Sequence, residues 1–387
     1  MPSPSVLILY SNTGGGHRAA ATALEQAIHQ LTPSVTVSTL DPILDDESSA
    51  PIVRRLAGLY SPLIRRSPRT WGAIYHSFNN RPAFALVRGV FAPAVRSRII
   101  DALQEHDPDL VISVHPLLNH VAWQAIQRSG RRRGLAVVVT DLVDFHLGWM
   151  FKRADVIFVP TAAAKGECLK AGVPEDRLHL LGLPVDLRFR PPAPGERAAI
   201  RRRYGLAESL FTILVSGGGE GSGPLLEQVA ALARRDGGDW QQIIVCGRNE
   251  KLRRRLSRLD FQGRALILGF VDNMPDLLRA SDLAVGKAGP GMIAEALATG
   301  VPILLTSYLP GQETQNVSFV VDSGLGRYTP KPRQLREAVA ELAQAGDEYQ
   351  RMVARAADVS RPYASLDIAR ECLLLAMRHM ASVQASL

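Results

Sequence analysis

The segment Gly286-Lys-Ala-Gly-Pro-Gly-Met-Ile-Ala-Glu-Ala-Leu-Ala-Thr-Gly300 holds the residue types that nucleotide chemistry asks for. Leu283, Ala284 and Val285 before it read as a buried strand. Gly289, Pro290 and Gly291 let the backbone turn and approach a ligand closely. A helix is predicted to start at Pro290–Gly291, where unsatisfied N–H groups and the positive dipole end favour an anion. Met292 belongs to that first turn, and Glu295 lies about one turn further in, facing back toward the loop. A phosphate loop with one carboxylate beside it suits a nucleotide whose ribose hydroxyls the carboxylate takes. Lys287 is placed either to neutralise phosphate charge or to stand as a solvated lysine. The loop Leu309-Pro-Gly-Gln-Glu-Thr-Gln-Asn316 brings Gln312, Glu313 and Asn316 to the same sheet edge, where open α/β sheets bind ligands.

The N-terminal half carries a second set. Gly14-Gly-Gly-His-Arg-Ala19 fits G-x-G-x-x-A, and Asp41 ends the second strand, which is nearly a dinucleotide fingerprint. Against hydride transfer stand the second nucleotide-type loop and the pair Gln312–Glu313; Asp41 reads better as a turn or cap residue. His17 falls where the first helix begins, and the helix dipole there favours a neutral imidazole. A neutral histidine beside an acceptor hydroxyl is a fit general base; the plainer alternative is a ring that binds phosphate or caps the helix. Asp141 and His146 follow a strand end and are placed to activate or orient an acceptor, with Trp149 as a surface on which it stacks. A polar loop with structural roles is the alternative there. Ser216-Gly-Gly-Gly-Glu-Gly221 also follows a strand, so the N–H groups of Ser216, Gly217 and Gly218 can approach a diphosphate.

The elements that must position these residues alternate as strand and amphipathic helix, the pattern of parallel α/β sheets. Strands are predicted at Val6–Tyr10, Val35–Leu40, Leu110–Val114, Ala136–Thr140, Val156–Val159 and Leu178–Leu181. After the Pro-rich stretch Arg190-Pro-Pro-Ala-Pro-Gly195, read as a linker, the pattern restarts at Thr212–Val215, Ile243–Cys246, Ala265–Leu268, Leu283–Val285 and Ile303–Thr306. This gives domains at 1–190 and 191–363 and a C-terminal helix at 364–387. At 387 residues, two domains of ordinary size are expected.

Charge is uneven. Residues 51–100 hold nine arginines and no Asp or Glu, against +8 for the whole chain, so the remainder sums to −1. Tyr60, Trp71, Tyr75, Phe78, Phe84 and Phe91 are interleaved with them. Arginine with aromatics suits an anionic membrane surface, ahead of a solvated basic face over a core or a single-stranded nucleic acid. No apolar run approaches the roughly 20 residues of a spanning helix, and Val6–Tyr10 reads as a strand rather than a leader. Three scattered cysteines, Cys168, Cys246 and Cys372, suit a reducing cytoplasm. Histidines lack ligand spacing and no Asp-x-Asp stands out as a metal motif, so no metal is expected.

Gly289–Asn316 resembles the donor site of GT-B glycosyltransferases that use UDP-sugars, in particular lipid-linked N-acetylglucosamine transferases and diacylglycerol glycosyltransferases. The second branch is strengthened by Ser11-Asn-Thr-Gly-Gly-Gly-His-Arg18, Thr140-Asp-Leu-Val-Asp-Phe-His-Leu-Gly-Trp149, Gly182-Leu-Pro-Val185 and Leu268-Gly-Phe-Val271. The resemblance covers residues 5–375. It implies two doubly wound Rossmann-like domains facing a cleft, and a C-terminal helix that crosses back to the first domain. It implies an inverting, metal-independent transfer of a hexose from a UDP-sugar to a lipid, with diacylglycerol the expected acceptor and no cofactor. Gly15 and Gly16 then join the donor-binding set, and Phe270 takes the position whose backbone reads uracil. The chain departs from the family pattern at Asn12, where Asp is usual, and at Asp144 and Leu147, where Thr and Pro are usual. An isomerase on the same architecture, a UDP-N-acetylglucosamine 2-epimerase, and a nucleotide-binding protein without catalysis are the other readings. A peripheral place on the inner face of the cell membrane is expected.

Overall fold

The computed structural model describes residues 3–12, 15–44, 67–143, 146–219, 221, 224–233 and 239–384. In chain order the elements are β1 (Ser5–Leu9), α1 (Gly16–Leu31), β2 (Thr36–Leu40), α2 (Pro68–Phe78), α3 (Arg81–His106), β3 (Leu110–Ser113), α4 (Asn119–Arg128), β4 (Gly134–Val138), β5 (Val156–Val159), α5 (Ala162–Lys170) and β6 (Leu178–Leu180). There follow α6 (Glu196–Arg203), β7 (Phe211–Ser216), α7 (Leu225–Ala233), β8 (Trp240–Val245), α8 (Glu250–Leu256), β9 (Ala265–Leu268), α9 (Met274–Ala280), β10 (Leu283–Lys287), α10 (Pro290–Ala298), β11 (Ile303–Ser307), α11 (Thr314–Asp322), β12 (Gly326–Tyr328), α12 (Pro332–Leu342), α13 (Asp347–Val359) and α14 (Ala364–Gln384).

The chain divides into two compact units, Met1–Leu187 with Tyr363–Leu387, and Arg188–Pro362. Each is built on a six-stranded parallel sheet, in the orders β2-β1-β3-β4-β5-β6 and β12-β11-β10-β7-β8-β9. Strands such as Leu110–Ser113 and Val156–Val159 are buried throughout because helices cover both sheet faces, so they read as unbroken apolar runs. One face of the first sheet packs on α3 and α4 through Val95, Ile99, Leu103 and Val121. The other packs on α1 and α14 through Leu24, Ile28, Ile368 and Cys372, so the C-terminal helix completes the core of the first unit.

The order of each sheet reverses once, between β1 and β3 in the first unit and between β7 and β10 in the second. In open α/β sheets the carboxyl ends of strands at such a reversal open a crevice for ligands. The loops holding His17 and Gly289 leave from these points. Eleven predicted strands are present, with Ile243–Cys246 beginning earlier, at Trp240. The additional strand β12 is three residues long and lies at a sheet edge, too short for an alternating pattern. Gly326 is required there: a Cβ would stand 1.8 Å from the Ile303 carbonyl oxygen.

The described part of the basic segment is helical. Phe84, Ala92 and Val95 are buried, so one face of α3 belongs to the core and Phe84 is not offered to a membrane. Trp71 and Tyr75 are half-buried. Arg54, Arg55, Tyr60, Arg65 and Arg66 lie outside the described residues, as do the side chains of Arg69, Phe78, Arg81 and Phe91. Among the described residues no helix is long and apolar enough to cross a membrane.

Candidate active site

In the first unit, Gly15 takes φ 84° and caps α1 with no side-chain hydrogen bond, which sets His17 in an uncapped first turn. A glycine here meets the left-handed backbone at no steric cost. His17 Nδ1 lies 2.8 Å from the Val114 carbonyl oxygen and 3.0 Å from the Thr140 hydroxyl. The His115 ring meets it edge-on, with centroids 4.5 Å apart, and the Trp149 ring stands 6.3 Å away. Although His17 is only half-buried, desolvation of the charged form outweighs the pull of the Val114 carbonyl and lowers its pKa to about 4. It is therefore a neutral imidazole at physiological pH, as a general base must be.

Asp141 and Trp149 form one unit: the indole Nε1 donates to Asp141 Oδ2 over 2.6 Å. Trp149 has no exposed surface, so the stacking role expected for it does not fit; the ring braces the site from within. His146 Nδ1 accepts from the Gly148 N–H at 3.0 Å. Its neutral proton is thus on Nε2, so the ring can orient an acceptor by donating, but is in the wrong tautomer to deprotonate one there. Burial lowers its pKa to about 4. Asp144 lies outside the described residues. Asp41 accepts from three backbone N–H groups, those of Asn12, Ile43 and Leu44 at 2.7, 3.0 and 3.0 Å. Its carboxylate shapes a turn, which removes the acidic residue from the dinucleotide fingerprint.

In the second unit, Ser216 closes β7 and its Oγ accepts from the Gly218 N–H at 3.2 Å, curling the glycine loop beyond the strand. Gly218 takes φ 70°, and Glu220 lies outside the described residues. Gly289 caps α10 with no side-chain hydrogen bond and Pro290 occupies the first turn, leaving the N–H groups of Gly291 and Met292 as the forward donors. Gly289 has ordinary φ and a Cβ on Gly291 would meet nothing within 4 Å, so neither glycine answers to backbone strain. Open space before an uncapped helix start is what an approaching anion needs. Met292 folds back over Gly286, where a Cβ would meet its sulfur at 2.3 Å.

Lys287 Nζ and Glu313 Oε1 pair at 2.6 Å, and Glu313 Oε2 accepts from the Leu309 N–H at 2.7 Å. Lys287 and Glu313, read separately from the sequence, are thus one ion pair with a buried carboxylate. Asn316 is buried and donates to the Ala288 carbonyl oxygen at 2.9 Å, tying α11 to the α10 loop. Glu295 and Gln312 are half-buried near the same edge.

Three residues escaped the sequence reading. His115 and Thr140 complete the setting of His17; their signal is position, each directly after a central strand. Arg248 places its guanidinium 4.5 Å over the Phe270 ring, which is 59% exposed, too open for a core residue. Gly247 beside it takes φ 56°, and a Cβ there would stand 2.4 Å from the Gly219 carbonyl oxygen, so the two loops nest only with glycine. Among the described residues no cluster of three or more His, Cys, Asp or Glu is arranged to hold a metal ion.

Residues 17–185 match the family described as monogalactosyldiacylglycerol synthase, and residues 212–365 match the glycosyltransferase family 28 C-terminal domain. A probable chloroplastic monogalactosyldiacylglycerol synthase of Glycine max is 34% identical over 376 residues, covering 95% of this chain and 70% of that protein. Among solved structures, MurG of Acinetobacter baumannii aligns with a TM-score of 0.60 at 17% identity, covering 95% of this chain and 99% of that one. A UDP-GlcNAc 2-epimerase from Neisseria meningitidis, bound to UDP-GlcNAc, aligns with a TM-score of 0.59 at 15% identity, covering 96% and 99%. At such identities the structural likenesses speak to the fold, which is GT-B.

Proposed function

The chain belongs to the monogalactosyldiacylglycerol synthase family and is a glycosyltransferase; on that premise we propose that it moves a hexose from a UDP-sugar to the hydroxyl of diacylglycerol, with inversion at the anomeric carbon. The single observation that carries the donor half is the uncapped start of α10, with open space before Gly291 and Lys287 at the strand end beside it. A diphosphate there meets backbone N–H groups and a cation, the means by which charge on a departing UDP is stabilised without a metal. Glu295 takes the ribose, Gln312 and Glu313 the sugar, and the loop of Ser216, Gly217 and Gly218 the phosphates. Phe270 stands at the uracil. The acceptor half rests on His17. As the acceptor oxygen bonds to the anomeric carbon, its proton passes to His17 and the bond from that carbon to the diphosphate oxygen breaks, with the electron pair leaving on UDP. One displacement from the opposite face inverts the configuration.

The acceptor would reach the first unit from the cytoplasmic face of a membrane, to which the basic segment holds the enzyme. The likeness to the 2-epimerase is one of fold alone. The test is to incubate the protein with UDP-galactose, UDP-glucose and UDP-N-acetylglucosamine in turn, with diacylglycerol in mixed micelles. The glycolipid is identified by mass spectrometry and its anomeric configuration by proton NMR. Galactose is tried first because the relatives carry it in their names. A β-linked hexosyl-diacylglycerol formed in the presence of a chelator is expected. Free sugar or an epimerised nucleotide sugar, with no glycolipid from any donor, would sink the proposal.

A further inference from the structure

The neighbours of His17 determine which of its nitrogens can act. A carbonyl oxygen only accepts, so the 2.8 Å contact with Val114 places the imidazole proton on Nδ1 and the lone pair on Nε2. The Thr140 hydroxyl stands 3.0 Å from the same nitrogen and is almost completely buried. It offers the N–H a second acceptor from the end of a different strand. Val114 follows β3 and Thr140 follows β4, so the ring is held between two adjacent strand ends, with His115 edge-on against its face. Among the described residues no carboxylate hydrogen-bonds His17. Its orientation rests on neutral groups, and of the two hydrogen-bond partners only Thr140 is a side chain.

Resting on the reading of His17 as the base, we propose that Thr140 is a positioning residue: together with the Val114 carbonyl it holds His17 in the Nδ1–H tautomer, so that Nε2 takes the acceptor proton. In the transfer step Nε2 gains that proton as the new glycosidic bond forms and UDP departs. The imidazolium then carries one proton on each nitrogen and returns the one on Nε2 to solvent. The same dipeptide does two jobs, because the next residue, Asp141, holds the Trp149 indole behind the ring. A neutral orienting partner differs from a carboxylate in one respect: it selects a tautomer while raising the affinity of the ring for a proton less than a full negative charge would, and here burial outweighs that pull. The neutral base is thus kept available.

The test uses the full chain labelled with 15N-histidine, the His17 signals being assigned by their loss in His17→Gln. Wild type is expected to show a protonated Nδ1 and a bare Nε2. Thr140→Val keeps the shape and removes the oxygen; it should give a mixture of tautomers and lower kcat about tenfold, part of the 10²–10⁴ that a general base supplies, with donor KM unchanged. Thr140→Ser should restore both tautomer and turnover, and equal thermal melting of the three proteins checks the fold. Wild-type His17 with its proton on Nε2 overturns the proposal. So does a valine variant that matches wild type in tautomer and turnover, or one whose tautomer shifts while turnover holds. Activity of His17→Ala, measured alongside, tells these failures apart: if that variant transfers normally, the assignment of the base has failed rather than the geometry around it.

Discussion

The Trp149 indole N–H donates to the Asp141 carboxylate across 2.6 Å, and both residues are buried. This bond closes the loop between β4 and β5 over the back of His17, whose ring lies 6.3 Å from the indole. Asn119 adds a second tie, donating from a fully buried position to the Gly148 carbonyl oxygen at 2.8 Å. The stretch Gly148–Trp149, which the sequence suggested as an acceptor surface, is therefore tied down from behind by two buried hydrogen bonds.

Trp149→Phe keeps most of the packing and removes the donor, leaving a buried carboxylate oxygen without that partner. A loss of about 1–3 kcal/mol in unfolding free energy is expected, with a fall in kcat and little change in donor KM. Asp141→Asn retains an acceptor for the indole and should lose less stability. Denaturant titration of both variants checks the ranking; a tryptophan variant as stable as wild type would show that the bond does not brace the loop.

Four histidines of the first unit share one electrostatic condition. His17, His120 and His146 have pKa values lowered to about 4, and His115 is held well below the ordinary 6.5; burial is the first cause in each case. For His120 the nearby Arg88 and Arg153 add to it, and for His115 the neighbouring His17 and His146. On acidification the unfolded chain takes up protons near 6.5 while the folded rings stay neutral, so stability is complete above that value and drains away toward pH 4. Each ring contributes a slope of at most about 1.4 kcal/mol per pH unit. Melting temperature should fall steeply between pH 6.5 and 5, and kcat/KM should show no acid limb near 6.5 from His17. A rate profile that drops with an apparent pKa near 6.5, lost in His17→Ala, would contradict this.

Much of this was legible in the sequence because its signals are local. Buried parallel strands are apolar runs, and a glycine loop followed by a helix marks a strand end; both survive without knowledge of the partner strand. What was not legible depends on register. Thr140 meets His17 only because β4 lies next to β3, which lies next to β1, and 123 positions separate the two residues. The pairing of Lys287 with Glu313 joins the ends of β10 and α11 in the same way. Trp149 misled because an aromatic in a polar loop suggests a binding surface, while its indole N–H finds a partner eight residues back.

Lys287 and Glu313 should not behave as independent ligand contacts. Removing the lysine leaves a carboxylate that is 4% exposed with, among the described residues, the Leu309 N–H for compensation. Lys287→Ala should thus weaken UDP binding and cost about 1–3 kcal/mol of stability. Glu313→Gln still accepts from Leu309 and frees the ammonium for phosphate, so UDP affinity should hold or rise while turnover with the sugar nucleotide falls. Calorimetry with UDP and with UDP-sugar separates the two effects. Equal weakening of UDP binding in both variants would place the pair outside the diphosphate site.

Residues 51–100 should dock the enzyme on anionic bilayers. Nine arginines without an acidic neighbour repel one another in water, and a phosphate-rich surface relieves that repulsion. Each is worth about 1 kcal/mol at most near such a surface, so several must act together. Burial of Phe84 in the core takes one aromatic out of the membrane term, which leaves the attraction more dependent on charge than composition suggests. Binding to phosphatidylglycerol liposomes should therefore weaken strongly as salt shortens the range of the interaction. Replacing Arg54, Arg55, Arg65, Arg66 and Arg69 with Gln should cut liposome sedimentation and activity on bilayer substrate, and spare activity on a detergent-dispersed acceptor. Equal sedimentation of variant and wild type at low salt would show that the segment is a solvated basic face.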